Sequence, residues 1–178
     1  MNANIDNESP LFLASDNGHT EVVKLLLDRN VDPNICNKDN ESPLFVASSE
    51  GHTEVVKLLL NHNCGPSVCK KQKIIIQDNV SLLLAASQRG HTEIVKLLLN
   101  HDVDPNMCNT ENESPLFVAS SKGYIEIVKL LLDHSVDPYL CNNDNESPLQ
   151  AALHRSHTEI VCLLYNYESV YIRHHDVA

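Results

Sequence analysis

Tryptophan is absent from the 178 residues, aromatic residues make up only 4%, and glycine occurs five times. So little glycine excludes a collagen-like or glycine-rich linker chain, and no glycine-rich loop of the phosphate-cradling kind is present. Long apolar runs are missing too. The longest are short blocks built on "LLL", far below the roughly 20 apolar residues of a membrane span. Basic residues are few: 13 Lys plus Arg stand against 24 Asp plus Glu, a formal net charge of -11. That balance argues against a nucleic-acid surface and mildly for a basic partner. No positively charged, apolar N-terminal segment suggests export, so the expected location is the cytoplasm, with the nucleus as the alternative. The six cysteines lack metal-pair spacing and are expected to be free thiols in a reducing compartment. What remains, 42% hydrophobic and 21% charged, suits an ordered chain with one sizeable core or a row of small repeating units.

The second alternative is testable by self-similarity. Ser-Pro pairs begin at Ser9, Ser42, Ser114 and Ser147, and a degraded copy, "SLLLAAS", begins at Ser81. The intervals are 33, 39, 33 and 33 residues, one period with a single six-residue excess. Within the second copy, Ser42 is placed to cap a helix whose first residue is Pro43, where a missing N–H costs nothing. That helix is expected to run through Leu44, Val46 and Ala47 to about Glu50. Gly51 supplies a tight turn, and Thr53 is expected to cap a second helix whose apolar face carries Val55, Val56, Leu58, Leu59 and Leu60. Neither helix is long enough to stand alone, since isolated helices under about 12–15 residues are marginal in water. The pairs must therefore stack on one another. Asp, Pro and Asn in "VDPNICNKDNE" predict a turn or hairpin between pairs, with Asn40 in the left-handed region.

"SPLFVAS", "GHTEVVKLLL" and "VDPN" resemble the ankyrin repeat, over about residues 4–171. The resemblance implies an all-α repeat solenoid: about five helix-turn-helix units joined by β-hairpin or turn connectors, with a concave face for protein recognition. The expected units are about 4–36, 37–75, 76–108, 109–141 and 142–174, in a single domain spanning 1–178. Phe12, Phe45 and Phe117 stand where the family usually has His, so packing is expected to replace a polar link. Asn7, Asn40, Asn79, Asn112 and Asn145 replace the usual hairpin Gly, and Asn30, Asn63, Asp102, Ser135 and Glu168 the usual Gly after the second helix. Each of the latter is expected to cost up to about 1 kcal/mol. The last copy departs furthest, with Ser156 for Gly and Cys162 for Lys, as terminal repeats do. With no distinct polar cap before the first copy, a fragment of a longer array is as consistent with the sequence as a whole protein.

His19, His52, His91 and His157, each followed two residues later by Glu21, Glu54, Glu93 or Glu159, would suggest catalysis or metal binding if they occurred once. They recur because the unit recurs, whereas an active site needs convergence at one place. The resemblance makes this His a bridge between turns of adjacent units, and Tyr124 takes its place in the fourth copy. Glu54 and Lys57 read as a surface helix pair. Cys36, Cys69, Cys108 and Cys141 occupy one repeat position, so stacking would space them about 10 Å apart, too far for one zinc ion. No enzymatic activity, metal or cofactor is expected.

The candidate partner-binding residues lie in three sets. At the connector tips, Asp39, Glu41, Asp78, Glu111, Glu113, Asp144 and Glu146, with Asp6 and Glu8, fall at two equivalent positions expected to align as an acidic ridge. At the first-helix ends, the family's concave face implies Glu50, Arg89, Lys122 and Arg155, with Ser49, Gln88, Ser121 and His154 beside them. The six-residue excess, near 70–75, adds Lys70, Lys71, Lys73 and Ile74 as a candidate contact finger. A tolerated loop insertion is its plainer explanation, because doubling a loop costs only about 0.6 kcal/mol. The expected function is a non-enzymatic, monomeric interaction module presenting an acidic concave surface to a protein with a basic segment. The alternative is a regulatory or scaffolding segment of a larger enzyme, ubiquitin-ligase component, channel or secreted effector.

Overall fold

The computed structural model describes residues 8–62, 64, 81–101 and 103–175, with side chains to 169. Ten helices and no strand occur among the described residues, so the connectors there are turns and not strand-paired hairpins. The chain forms two compact units, Met1–Ile75 and Ile76–Ala178.

The first unit holds two helix pairs: α1 (Pro10–Asp16) with α2 (Thr20–Asp28), and α3 (Pro43–Glu50) with α4 (Thr53–Asn61). Each pair packs on itself, while α1 lies against α3 and α2 against α4. The second unit holds three pairs: α5 (Leu82–Arg89) with α6 (Thr92–Leu99), α7 (Pro115–Lys122) with α8 (Ile125–Leu132), and α9 (Pro148–His154) with α10 (Thr158–His175). First helices again stack on first helices, α5 on α7 on α9, and second helices on second, α6 on α8 on α10. Each unit is thus two layers of helices, as the stacking argument requires.

The serines cap as expected. Ser9, Ser42 and Ser114 accept from the amides of Phe12, Phe45 and Phe117, each at 3.1 Å. Ser147 accepts from Gln150 at 3.2 Å, and Gln150 reaches back to the Ser147 amide in a full capping box. Ser81, without a proline after it, still accepts from Leu83 and Leu84. The second helices differ from expectation. Thr53 is their first helical residue and His52 occupies the cap position with no side-chain bond. The reason is visible at Thr20 and Thr92, whose hydroxyls donate backward to the carbonyls of Gly18 and Gly90.

Asparagine does the work expected of it at the turns. Asn40, Asn112 and Asn145 adopt φ of 61°, 58° and 58°, and Asn30 and Ser135 occupy the same region after second helices. Phe12 and Phe117 are buried, Phe117 packing with Leu84, Val118 and Ala151, while Phe45 is only half-buried. Leu11, Leu44, Leu83 and Leu116 from first helices are fully buried, as are Val56, Leu59, Val95, Leu98, Val128, Leu131, Ile160 and Leu164 from second helices. One feature of this core runs against its chemistry: Ser15, Ser48, Ser87 and Ser120 are wholly buried, and none of their hydroxyls has a hydrogen-bond partner.

Candidate protein-recognition surface

Each described tip is closed by an asparagine four residues before a glutamate. Asn37 Oδ1 accepts from the amides of Asp39 (3.0 Å) and Glu41 (2.9 Å), while its Nδ2 donates to Glu41 Oε2 at 2.9 Å. Asn109 repeats the arrangement with Glu111 and Glu113. Asn142 accepts from Asp144 and Glu146 in the same way, but Glu146 Oε1 meets His154 Nδ1 at 2.7 Å and Arg155 at 3.5 Å. The chain favours this closure because an Asn side chain reproduces a backbone turn locally.

The two acidic positions therefore separate. Asp39, Glu111 and Asp144 are exposed, whereas Glu41, Glu113 and Glu146 are half-buried and turned onto partners of their own loops or helix ends. Glu8 is half-buried; Asp6 and Asp78 lie outside the described residues, as do Lys70, Lys71, Lys73 and Ile74 of the 70–75 segment. Within the second unit the tips of copies four and five are joined. The Asn143 amide donates to the Glu111 carbonyl at 2.9 Å, Asn143 Nδ2 to Thr110 at 3.2 Å, and Asn112 Nδ2 to Asn143 Oδ1 at 3.0 Å. Asn106 Oδ1 also accepts from the Asp137 amide at 2.8 Å. Glu111 and Asp144 are thus brought together on one braced edge. Nothing in composition indicated this division; the Asn-x-x-x-Glu spacing in "NKDNE", "NTENE" and "NNDNE" was the available signal.

At the first-helix ends Glu50, Arg89, Lys122 and Arg155 are all exposed. Arg155 also donates to the Ala151 carbonyl at 3.2 Å. In the second unit the residues at these ends, Arg89, Lys122 and Arg155, are all basic.

The recurring histidines build the stack. His52 donates from Nε2 to the Asp16 carbonyl at 2.8 Å, and His157 to Ser121 at 3.1 Å. The expected Glu54–Lys57 ion pair forms at 2.7 Å. Lys129 bridges Glu126 (2.9 Å) and, in the next copy, Glu159 (3.4 Å), and the hydrogen bonds to Glu126 hold its pKa above the usual lysine value.

Cysteine departs from expectation at one place: Cys36 is disulfide-bonded, while Cys64, Cys108, Cys141 and Cys162 are free thiols. Burial, reinforced by Asp32, pushes the Cys64 thiol up to about 12. Burial first, then Asp104 and Asp137, also raises Cys108. Such thiols are poor nucleophiles at neutral pH. Among the described residues no group of three or more His, Cys, Asp or Glu is arranged to hold a metal ion, and no helix is long and apolar enough to cross a membrane.

No curated protein matches the chain. The family model for ankyrin repeats (3 copies) matches residues 1–72 and 81–175, covering every helix pair described above. The chain belongs to the ankyrin-repeat family.

Proposed function

We propose that this chain recognises a partner protein through its exposed tip carboxylates, with preference for a basic segment. Ankyrin repeats are protein-protein interaction modules and typically non-enzymatic, which supports the general reading. The observation carrying the specific one is the braced pair of tips at Glu111 and Asp144. Their carboxylates are exposed, while three hydrogen bonds hold the loops beneath them in register. Preorganised groups bind without much ordering entropy, and clustered like charge speeds encounter with the opposite sign. Asp39 offers the equivalent carboxylate in the first unit. The test is a titration of the full chain with a fluorescent lysine-rich peptide at low and high salt. Affinity should fall with salt and fall further in the Glu111→Gln/Asp144→Asn variant. Binding indifferent to both changes would rule the proposal out.

A further inference from the structure

The first helix pair leaves open an apolar face that later pairs bury. Leu13 on α1 and Val22 and Leu25 on α2 are 42%, 45% and 61% exposed. At the repeat positions of Leu13 and Val22, the second, fourth and fifth pairs carry Val46 with Val55, Val118 with Ile127 and Ala151 with Ile160, none of them more than 7% exposed. Those are the pairs that lie on a preceding pair within their own unit, first helix on first helix and second on second. The face is thus one that a neighbouring surface fills, and in the first pair it stands uncovered among the described residues.

The outer face of the fifth pair does not complement it. Inner joints set a ring against a glycine of the pair before: a Cβ added to Gly18 would lie 2.6 Å from His52, and one on Gly123 2.7 Å from His157. The fifth pair has Ser156 at that place, whose Cβ occupies the space of the ring, so two molecules do not continue head to tail. Charge points instead to the same face of a second molecule. Two chains of formal net charge -11 repel, so they meet most favourably where charge is locally balanced. Such a place is α2 with its cap, which exposes Glu21 and Asp28 against Lys24 and Arg29. Glu21 and Arg29 stand four residues before and four after Leu25, on one helix stripe. In the second and fourth pairs the glutamate equivalent to Glu21 is engaged, Glu54 by Lys57 and Glu126 by Lys129, whereas Glu21 and Arg29 are in no ion pair among the described residues.

We propose that this face is a dimerisation surface, joining two molecules of the chain through Leu13, Val22 and Leu25 about a twofold axis, in place of the monomer expected from the sequence. A twofold interface presents the same patch from both sides. With the two α2 helices antiparallel and Leu25 beside the axis, residues four before and four after it come level, so each Glu21 meets the partner's Arg29. Apolar burial supplies the driving force, and the two Glu21–Arg29 contacts set the register. The tip carboxylates take no part, so this reading and the one proposed for the tips stand independently.

Sedimentation equilibrium of the full chain is the experiment. The mass should rise with concentration from 19.9 kDa to twice that and stop there. Val22→Ser/Leu25→Ser should weaken association by about tenfold or more, with helical circular dichroism unchanged because both side chains are exposed. Glu21→Arg sets arginine against arginine and Arg29→Glu sets glutamate against glutamate, and each alone should weaken association about tenfold, or about 1.4 kcal/mol. An equimolar mixture of these two variants restores opposite charges at both contacts and should associate as the natural chain does. A mass of 19.9 kDa at every concentration, which leaves the face to residues 1–7 or to a helix pair of another source, would overturn the proposal. Growth beyond two molecules would do the same, as would single variants that fail to recover on mixing.

Discussion

His157 lies one repeat beyond Gly123 and holds it in place, its Nε2 donating to the Ser121 carbonyl at 3.1 Å while its ring fills the space a Cβ on Gly123 would need. Gly123 has φ of 80°, so alanine there meets both a strained backbone and the ring. Gly123→Ala should lower unfolding free energy by about 1–3 kcal/mol, measured by urea denaturation. Adding His157→Ala should relieve the clash but not the backbone strain. A double variant no more stable than expected from adding the two single losses would contradict this account of the contact.

The orphaned core hydroxyls make the opposite prediction. Ser120 is wholly buried with no partner for Oγ, so Ser120→Ala removes an uncompensated polar group and raises helix propensity. The expected gain is about 1 kcal/mol, seen as a higher thermal midpoint. Ser48→Ala should behave alike, and a lower midpoint in both would mean the hydroxyls are satisfied in solution.

Closure of the tips rests on one side chain per loop. Asn109→Ala removes the acceptor for the Glu111 and Glu113 amides and the donor to the Glu113 carboxylate. The cost should be about 1–3 kcal/mol. Asn112→Gly should preserve the backbone, since φ is 58° there, and lose only the side-chain bond to Asn143. Amide hydrogen exchange at Glu111 and Glu113 should accelerate in Asn109→Ala and change little in Asn112→Gly.

Cys64 links stability to alkaline pH. Its thiol moves from an ordinary 9.0 to about 12 in the folded chain, so the fold favours the protonated form. That contribution is complete below about pH 9 and is lost progressively as pH rises toward 12, where the unfolded chain ionises and the folded chain does not. Denaturant midpoints measured between pH 8 and 11 should fall, and Cys64→Ala should flatten the fall. In thiol labelling at pH 8, exposed Cys162 should react first and buried Cys64 only on unfolding.

The helix pairs were legible because their signals are local and repeated: Ser-Pro at the first-helix starts, glycine after them, and an apolar stripe ending in leucines. Ser42 and Asn40 needed nothing beyond their own neighbours to be placed. Thr53 begins its helix and does not cap it, because whether a threonine at this place caps or bonds back to a turn carbonyl, as Thr20 and Thr92 do, depends on turn geometry. The acids Glu41, Glu113 and Glu146 looked equivalent to Asp39, Glu111 and Asp144, since charge does not reveal which carboxylate turns toward an asparagine. Ser15 and its equivalents gave no warning either, because a serine at that position is ordinary until its burial is known.

Where a partner lands on the chain can be read from the backbone amide shifts of isotopically labelled protein as a lysine-rich peptide is added. The account predicts that the largest shifts fall at Glu111, Asp144 and their tip neighbours, and that α6 and α8 remain unmoved. Shifts concentrated on those second helices, with the tips unchanged at saturation, would contradict it.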